Sequence, residues 1–232
     1  MSWHGRVAPL VNGSIRFVCG QLYTHFAFAY DAAVHLVSLG EWKEWGRLAI
    51  PFIPAGARVL EIAHGPGHLQ RDLHERGFRA IGIDRSAQMG ALAGRRLTRA
   101  SPHRLPPLVR ADAGRLPFAA RSFDCVVCTF PAEFIFAIET LSETHRVLTD
   151  GGRMVIVPHA GFLRGNLVSR AIRLTHRLGG GGDAGGAQLA AISGGFARAG
   201  FCFEAESRRT RRAEVAVWVC QRRAMPSAEA SA

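Results

Sequence analysis

The chain has 232 residues, 48% of them hydrophobic, and a formal net charge of +11 at pH 7. The length predicts one domain with additional segments and a sizeable core, and the composition is that of a soluble globular protein. The charge alone does not separate an arginine-rich solvated surface from one that attracts nucleic acid, phospholipid or an acidic metabolite.

Five cysteines, an odd number in apolar contexts, argue against a disulfide framework and predict a reduced, cytoplasmic protein. Cys125 and Cys128 form a C-x-x-C pair inside a strand-like run, where positions i and i+3 face opposite sides, so neither a metal nor a redox site is predicted there. The start of the chain lacks the pattern of a cleavable signal peptide. The most apolar window, 17–39, contains several polar residues and is predicted as a buried or interfacial helix rather than a membrane span.

The predicted elements begin with helices and continue as alternating strands and helices. Apolar residues at spacings of three and four predict a helix from residue 14, which Gly40 interrupts. A second short helix around Trp42 and Trp45 ends before Pro51. The predicted strands are 58–62, 78–84, 108–111, 123–130, 153–157, 201–207 and 214–221, and the later helices are 69–76, 86–99, 139–148, 161–178 and 188–198.

Three segments interrupt or close this alternation. Gly179–Gly186 is predicted as a flexible glycine tract. The last two strands flank an arginine-rich turn at 208–212 and predict a β-hairpin. The tail 224–232 is predicted to be disordered. Strands that alternate with helices and end in a hairpin predict a doubly wound α/β sheet with an antiparallel strand.

The first strand leads into a glycine turn at Gly65 and Gly67 and then into a helix. This strand–turn–helix order is the usual cradle for a nucleotide-like ligand in an open α/β sheet. Glycines at the turn permit positive φ and a close approach of the ligand to the backbone. The sequence therefore predicts a nucleotide-like ligand at the end of the first strand.

Four motifs in order resemble the class I S-adenosylmethionine (SAM) dependent methyltransferases, in particular the group called type 11. They are Val59-Leu-Glu-Ile-Ala-His-Gly-Pro-Gly67, Ile81-Gly-Ile-Asp84, Ala111-Asp-Ala-Gly-Arg-Leu-Pro-Phe118 with the following 122–127, and Arg146-Val-Leu-Thr-Asp-Gly-Gly-Arg-Met-Val-Ile-Val157. The resemblance covers about 58–157. It implies a mostly parallel seven-stranded sheet in the order 3-2-1-4-5-7-6, with the antiparallel hairpin at the C-terminus and a helical lid at the N-terminus.

The resemblance also implies SAM as the cofactor and assigns contacts to it. Glu61 would orient the methionine ammonium, and Gly65 and Gly67 would let the backbone approach the methionine and ribose. Ala63 replaces the first loop glycine of the family and tolerates positive φ poorly. The further implied contacts are Asp84 with the ribose hydroxyls, Arg85, Met89, Asp112 and Ala113 around the adenine, and Thr129 and Phe130 near the reacting methyl.

Candidate catalytic and substrate residues lie outside those motifs. Glu133 and His159 are candidates for a general base, which matters for a hydroxyl or carbon acceptor. Tyr30 and His35 on the N-terminal helix are candidate substrate contacts. A metal site is not predicted, because the three histidines His64, His68 and His74 do not share one helix face and are interpreted as ordinary loop and surface residues.

The resulting hypothesis is a SAM-dependent methyltransferase that acts on a small-molecule or lipid-like acceptor. Its predicted parts are N-terminal helices that form a substrate lid (1–52), a SAM-binding domain (53–223) and an insert (160–186). The apolar and basic character of the lid and the insert is compatible with peripheral contact with a membrane surface. Two alternatives stay open: an RNA-binding protein or RNA methyltransferase that uses arginines at 170–177 and 208–212, and an NAD-dependent oxidoreductase. The oligomeric state stays open as well.

Overall fold

The computed structural model describes residues 38, 40–102, 106–158, 160–162 and 184–223; for 161, 162 and 184–188 the description covers the backbone alone. The strands are β1 (Arg58–Ile62), β2 (Arg79–Asp84), β3 (Leu108–Arg110), β4 (Phe123–Thr129), β5 (Leu148–Val157), β6 (Ala160–Phe162), β7 (Phe201–Arg209) and β8 (Ala213–Arg222). The helices are α1 (Trp42–Arg47), α2 (His68–Glu75), α3 (Ala87–Ala100), α4 (Ile138–Val147) and α5 (Ala184–Arg198), with 3-10 turns at Ile50–Phe52 and Glu133–Phe136.

The described strands form one mixed sheet. β3, β2, β1, β4 and β5 lie side by side and parallel, β8 pairs antiparallel with β5, and β7 pairs antiparallel with β8. The hairpin strands β7 and β8 are the predicted sixth and seventh strands. The predicted order 3-2-1-4-5-7-6 is therefore confirmed.

β6 was not predicted, and it corrects the start of the predicted helix 161–178. Residues 160–162 pair antiparallel with the first residues of β8, Ala213 to Val215. β5 pairs with the later part of β8, Trp218 to Gln221, so the earlier part has room for another strand on the same side. The rest of that predicted helix lies outside the described residues.

α5 corrects a second prediction. It begins at Ala184, so the last residues of the predicted glycine tract 179–186 are helical, and the tract before them lies outside the described residues. α5 ends before Gly200, which has a φ of 87°. The predicted end of this helix is confirmed, and its start lies earlier than predicted.

The core lies on both faces of the sheet because the central strands are buried on both sides. Alternate residues of β4 show this: Cys125 and Val127 belong to one apolar cluster, and Val126 and Cys128 to the other. This alternation follows from the two-residue period of a strand. It confirms that the two cysteines of the C-x-x-C pair face opposite sides, and burial raises the pKa of the Cys125 thiol to about 12.

α1 lies on the face that also carries α2. Hydrogen bonds to two carboxylates hold α1 in place. Arg47 donates to both carboxylate oxygens of Asp72 in α2 at 2.8 and 3.0 Å, and the Thr210 hydroxyl beside β8 donates to the Glu41 carboxylate at 2.8 Å. The predicted short helix around Trp42 is thus confirmed. The predicted helix before it lies almost entirely outside the described residues. Within the described ranges, no helix is long and apolar enough to cross a membrane.

Candidate functional site

The loop between β1 and α2 is fixed by backbone hydrogen bonds to the end of β2. The His64 N–H donates to the Ile83 carbonyl at 3.1 Å, and the Gly65 N–H donates to the Asp84 carboxylate at 2.9 Å. Gly67 has a φ of 80°, and a Cβ there would lie 2.7 Å from the Cβ of Ala93 in α3. Glycine is therefore required at 67 both for the left-handed backbone and for the close packing of α3.

Ala63 has a φ of 56°, inside the left-handed region that favours glycine. Gly65, two residues later, has a φ of 53°. The backbone thus keeps the course of a glycine loop even though position 63 carries a side chain. The cost of this conformation falls on Ala63, since the Cβ of a non-glycine residue crowds the following carbonyl there.

Asp84 joins the loop to the start of α3. Its carboxylate is buried and accepts the Gly65 N–H through one oxygen and the Ser86 N–H, at 2.8 Å, through the other. Ser86 in turn caps α3 by accepting the Met89 N–H at 3.2 Å, which confirms the predicted N-cap.

Glu61 is the buried acid beneath this loop. Its side chain is 1% exposed, and no described residue donates a hydrogen bond to its Oε2. Burial raises the pKa of Glu61 to about 8; the nearby Gln70 amide lowers the pKa, and the charges of Asp84 and Asp72 raise it. A buried carboxyl with an unpaired oxygen is suited to receive a cationic or hydrogen-bond-donating ligand group.

His64 and Gln70 add polar groups that the sequence interpretation missed. His64 was predicted as an ordinary loop or surface histidine, but it is 5% exposed and its Nδ1 lies 2.7 Å from the Gly65 carbonyl. Gln70 is fully buried, and neither of its amide atoms reaches hydrogen-bond geometry with a described residue. Gln70 lies three residues before the buried Leu73 on α2, and this helical spacing was the available signal for its burial.

The predicted adenine contacts fall at the ends of β2 and β3. Arg85 and Asp112 come within 3.7 Å of each other, and their side chains are 85% and 57% exposed. Asp112 also accepts the Gly114 N–H at 2.8 Å, and Ala113 lies partly buried between them. Met89 is fully buried. The structure brings the two charged residues together at an open rim and places Met89 in the interior.

The predicted methyl end of the site lies at the end of β4, under α1. Phe130 has a φ of 51°, and its N–H donates to the Val157 carbonyl at 2.7 Å. Its ring stacks on Trp42 with centroids 3.7 Å apart, and Trp45 lies 6.3 Å from it. A Cβ on Gly46 would lie 4.0 Å from the Thr129 methyl group. α1, which is part of the predicted N-terminal lid (1–52), therefore covers this strand end with an aromatic surface, and Trp42 and Trp45 were not predicted as site residues.

The structure does not bring the remaining predicted residues into this site. Glu133 is exposed on the 3-10 turn that follows β4. His159, Tyr30 and His35 lie outside the described residues. The candidate bases and substrate contacts therefore stay predictions.

The fold and the site are those of proteins that bind a nucleotide-type cofactor. A glycine loop follows β1, an acid ends β2, and an antiparallel β8 lies beside β5. Residues 60–156 match a family model described as a methyltransferase domain. A demethylmenaquinone methyltransferase of Beutenbergia cavernae is 36% identical over 140 residues, which are 58% of this chain and 55% of the relative. A ubiquinone/menaquinone biosynthesis C-methyltransferase of Rhizobium meliloti is 30% identical over 161 residues, 66% of this chain and 59% of the relative.

The solved structures agree at the level of the fold. The magnesium protoporphyrin IX methyltransferase of Synechocystis, with bound S-adenosylhomocysteine, aligns with a TM-score of 0.60 and 15% identity over 89% of this chain and 99% of its own. Residues 60–156 are thus similar in sequence to a methyltransferase domain of the class I SAM-dependent type, and the chain shares the fold of those enzymes. It spans a little more than half of the length of the curated relatives that it matches.

Proposed function

We propose that the protein binds SAM in the loop after β1 and transfers its methyl group to a small planar acceptor of the quinone-precursor type. The observation that carries the cofactor half is Glu61, a fully buried carboxyl directly before the loop whose Oε2 has no partner within the described residues. An isolated buried acid is costly unless a ligand satisfies it. The methionine ammonium is a cation with three donors and fits this oxygen.

The other groups at the loop fit the same cofactor. Gly65 and Gly67 give the loop its left-handed turns, Asp84 ends β2 beside the loop where ribose hydroxyls would lie, and Asp112 and Arg85 form a rim where an adenine would lie. These assignments follow the family resemblance, with Ala113 and Met89 as further adenine contacts and Ala63 as the loop position that departs from glycine.

SAM supplies an electrophilic methyl group on a sulfonium, so this chain needs chiefly to position the acceptor in line with it. Thr129 and Phe130 end the strand at which the acceptor would approach. Phe130 holds a left-handed backbone, and such strain clusters at functional sites. A base matters for a carbon or oxygen acceptor, and Glu133 and His159 are our candidates for it.

The acceptor class rests on two supports. The relatives named above act, by their names, on demethylmenaquinone or in ubiquinone and menaquinone biosynthesis. In this chain, Trp42 and Phe130 form a stacked aromatic wall at the strand end, and aromatic side chains favour stacking with planar rings. Tyr30 and His35 would complete the acceptor side. Quinone precursors with isoprenoid tails reside in lipid, which agrees with the predicted peripheral membrane contact.

Titration calorimetry of the full chain with SAM tests the cofactor half. At pH 7 Glu61 is mostly protonated, because burial raises its pKa to about 8. Insertion of an ammonium beside it should lower that pKa and release close to one proton, which appears as a dependence of the heat on the ionisation enthalpy of the buffer. Glu61→Gln is the isosteric control and should bind more weakly with no proton release. Absence of binding at millimolar SAM, with folded protein, would overturn the proposal.

Turnover separates the proposal from its rivals. Radiolabel from methyl-labelled SAM should appear in reduced demethylmenaquinone, and Trp42→Ala should raise KM for this acceptor while SAM affinity stays unchanged. Label in RNA instead of quinone would favour an RNA methyltransferase, and a change in nicotinamide absorbance would favour an oxidoreductase. The structure gives the RNA alternative little support, since Arg208 of the 208–212 cluster pairs with Glu206 at 2.7 Å and lies over the Phe52 ring.

A further inference from the structure

β7 forms an exposed outer edge of the sheet. It pairs with β8 along its whole length, from Phe201 with Arg222 to Arg209 with Glu214, and no other described strand pairs with it. Every residue from Glu204 to Arg209 is exposed. An edge strand of this length presents a row of unpaired N–H and C=O groups to any strand that can lie beside it.

The bonding pattern shows which residues of β7 present those groups. At the two ends of the hairpin, Arg223 N–H donates to the Gly200 carbonyl at 2.8 Å and Thr210 N–H to the Ala213 carbonyl at 2.8 Å. In an antiparallel ladder, residues that bond to the partner strand alternate with residues that do not. The ladder has no bulge, so even-numbered residues of β7 bond to β8, and the odd-numbered residues, among them Ala205, Ser207 and Arg209, direct their backbone groups outward.

We propose that this edge is a homodimer interface in which β7 of a second copy adds antiparallel to β7, with the two-fold axis at Ser207. The outward backbone groups of Ser207 then bond to those of Ser207 in the second copy, and Ala205 pairs with Arg209. Glu206 faces Arg208 of the second copy, and Arg208 faces its Glu206. These two are non-hydrogen-bonded pairs, in which Cα atoms approach to about 4.5 Å and opposite charges stabilise the contact.

Charge selects this register over its neighbours. An axis at Glu206 places the Glu206 carboxylates of the two copies opposite each other. An axis at Arg208 places the two Arg208 guanidinium groups opposite each other. An axis at Ala205 places Glu204 opposite Glu206, and one at Arg209 pairs that residue with itself. Like charges directly opposite destabilise a pair of strands. Among the axes within the exposed segment, the one at Ser207 is the one that creates opposite-charge pairs and no like-charge pair.

The pairing would also extend contacts that each chain already makes. Within one chain, Glu206 and Arg208 form an ion pair at 2.7 Å on the same face of β7. Across the two-fold axis, two such pairs become a network of four alternating charges. Networks of charges contribute more than isolated exposed pairs. The result is a continuous sheet through two copies, independent of any ligand.

Sedimentation velocity of the ligand-free full chain over a range of micromolar concentrations tests the interface. We expect a monomer–dimer equilibrium. Glu206→Arg and Arg208→Glu each place like charges across the axis and should shift the protein to monomer, and the combined variant, which restores opposite charges, should recover the dimer. Glu204→Arg is the matched control, because that residue faces Thr210 of the second copy and its reversal should leave the dimer intact.

Disulfide trapping reports the register directly. In a Cys202→Ser background, Ser207→Cys places two thiols at the axis, where the Cα separation of about 5.5 Å permits a disulfide. Ala205→Cys is the control, because its two copies lie four residues apart along the strands, roughly 14 Å. Dimer trapped through 207 and not through 205 supports the proposal. A monomer at every concentration, a dimer indifferent to charge reversal, or equal trapping at both positions would overturn it.

Discussion

Ala63 carries backbone strain at a position where the loop follows the course expected of glycine. Its φ of 56° costs a non-glycine residue about 1–2 kcal/mol, and the greater freedom of glycine in the unfolded chain offsets about 0.5–1 kcal/mol of any gain from replacing it. Ala63→Gly should therefore raise the free energy of unfolding by about 0.5–1 kcal/mol. Urea denaturation measures this difference.

Arg121→Gly is the matched control for this prediction. Arg121 has a φ of 58°, close to that of Ala63. It precedes β4, however, and therefore lies at the edge of the sheet opposite to the loop between β1 and α2. Both variants should gain stability, and Ala63→Gly alone should change the affinity for SAM. A loss of stability in Ala63→Gly alongside a gain in Arg121→Gly would show that the Ala63 methyl group makes packing contacts that outweigh the strain.

Glu61 links the stability of the fold to pH. Burial raises the pKa of its carboxyl to about 8 in the folded chain, against 4.5 as its ordinary value. Between these values the folded chain holds a proton that the unfolded chain has released, so the free energy of unfolding falls as pH rises, by up to about 1.4 kcal/mol per pH unit. The stabilisation is complete below about pH 4.5 and lost above about pH 8.

Urea unfolding of the wild type and Glu61→Gln across this pH range isolates that contribution. The amide does not titrate, so the difference in stability between the two proteins should change with pH in favour of the variant as pH rises. Parallel pH profiles would mean that Glu61 is ionised in the folded chain at neutral pH. Other titrating groups are common to both proteins and largely cancel in the difference.

The residues that sequence predicted correctly are those whose constraint is local. The left-handed turn at Gly67 and the Ser86 cap follow from turn and helix-start rules that depend on a few neighbours along the chain. Burial of His64 depends on Gly82 in β2, whose missing Cβ leaves room for the ring at 3.0 Å. That contact joins residues far apart in sequence, so a local pattern could not identify it.

At the scale of elements, α1 is held against the sheet by a few polar contacts across long sequence separations. Burial opposes the charge of Asp72, but hydrogen bonds and charge from Arg47 hold the pKa of its carboxyl below the usual value. The Arg47 side chain is 40% exposed, so solvent screens part of this attraction. We expect a coupling free energy of about 1 kcal/mol between the two residues.

A double-mutant cycle with Arg47→Ala and Asp72→Asn, read from urea unfolding, measures that coupling. Arg58 and Asp124 form the comparison pair, since they make the same two-pronged contact at 3.0 and 2.8 Å with both side chains more exposed. Their coupling should be smaller. A coupling for Arg47 and Asp72 no larger than that of the exposed pair would show that burial of Asp72 adds nothing to the attachment of α1.

The sequence predicted a doubly wound sheet from the alternation of strands and helices, because parallel strands with helical crossovers leave few topologies, and it predicted the strand order through the family resemblance. It did not predict β6, since a three-residue strand at 160–162 has no periodicity of its own and exists because β8 extends beyond the reach of β5. It also did not predict the contact of Glu41 with Thr210, 169 positions away. A local sequence pattern does not predict a strand pairing that depends on where another strand ends.

At the scale of the whole molecule, the net charge of +11 favours association with anionic surfaces. The proposed acceptor class resides in lipid, so the positive charge and the substrate both favour binding at a membrane surface. Each basic residue near an anionic bilayer contributes about 1 kcal/mol of attraction, which falls off within a Debye length. We therefore predict that the full chain binds vesicles that contain phosphatidylglycerol and leaves vesicles of phosphatidylcholine alone unbound.

Cosedimentation with the two kinds of vesicle measures this binding. Raising the salt from about 0.1 M to about 1 M shortens the Debye length from about 10 Å to about 3 Å and should release the protein. Single-stranded RNA is added as a competitor to compare the affinity for nucleic acid with the affinity for lipid. If RNA displaces the protein from vesicles at equal phosphate concentration, the protein binds nucleic acid at least as tightly as lipid. Binding to both vesicle types that resists salt would show apolar insertion instead, by the apolar residues of the predicted N-terminal helix rather than by the arginines.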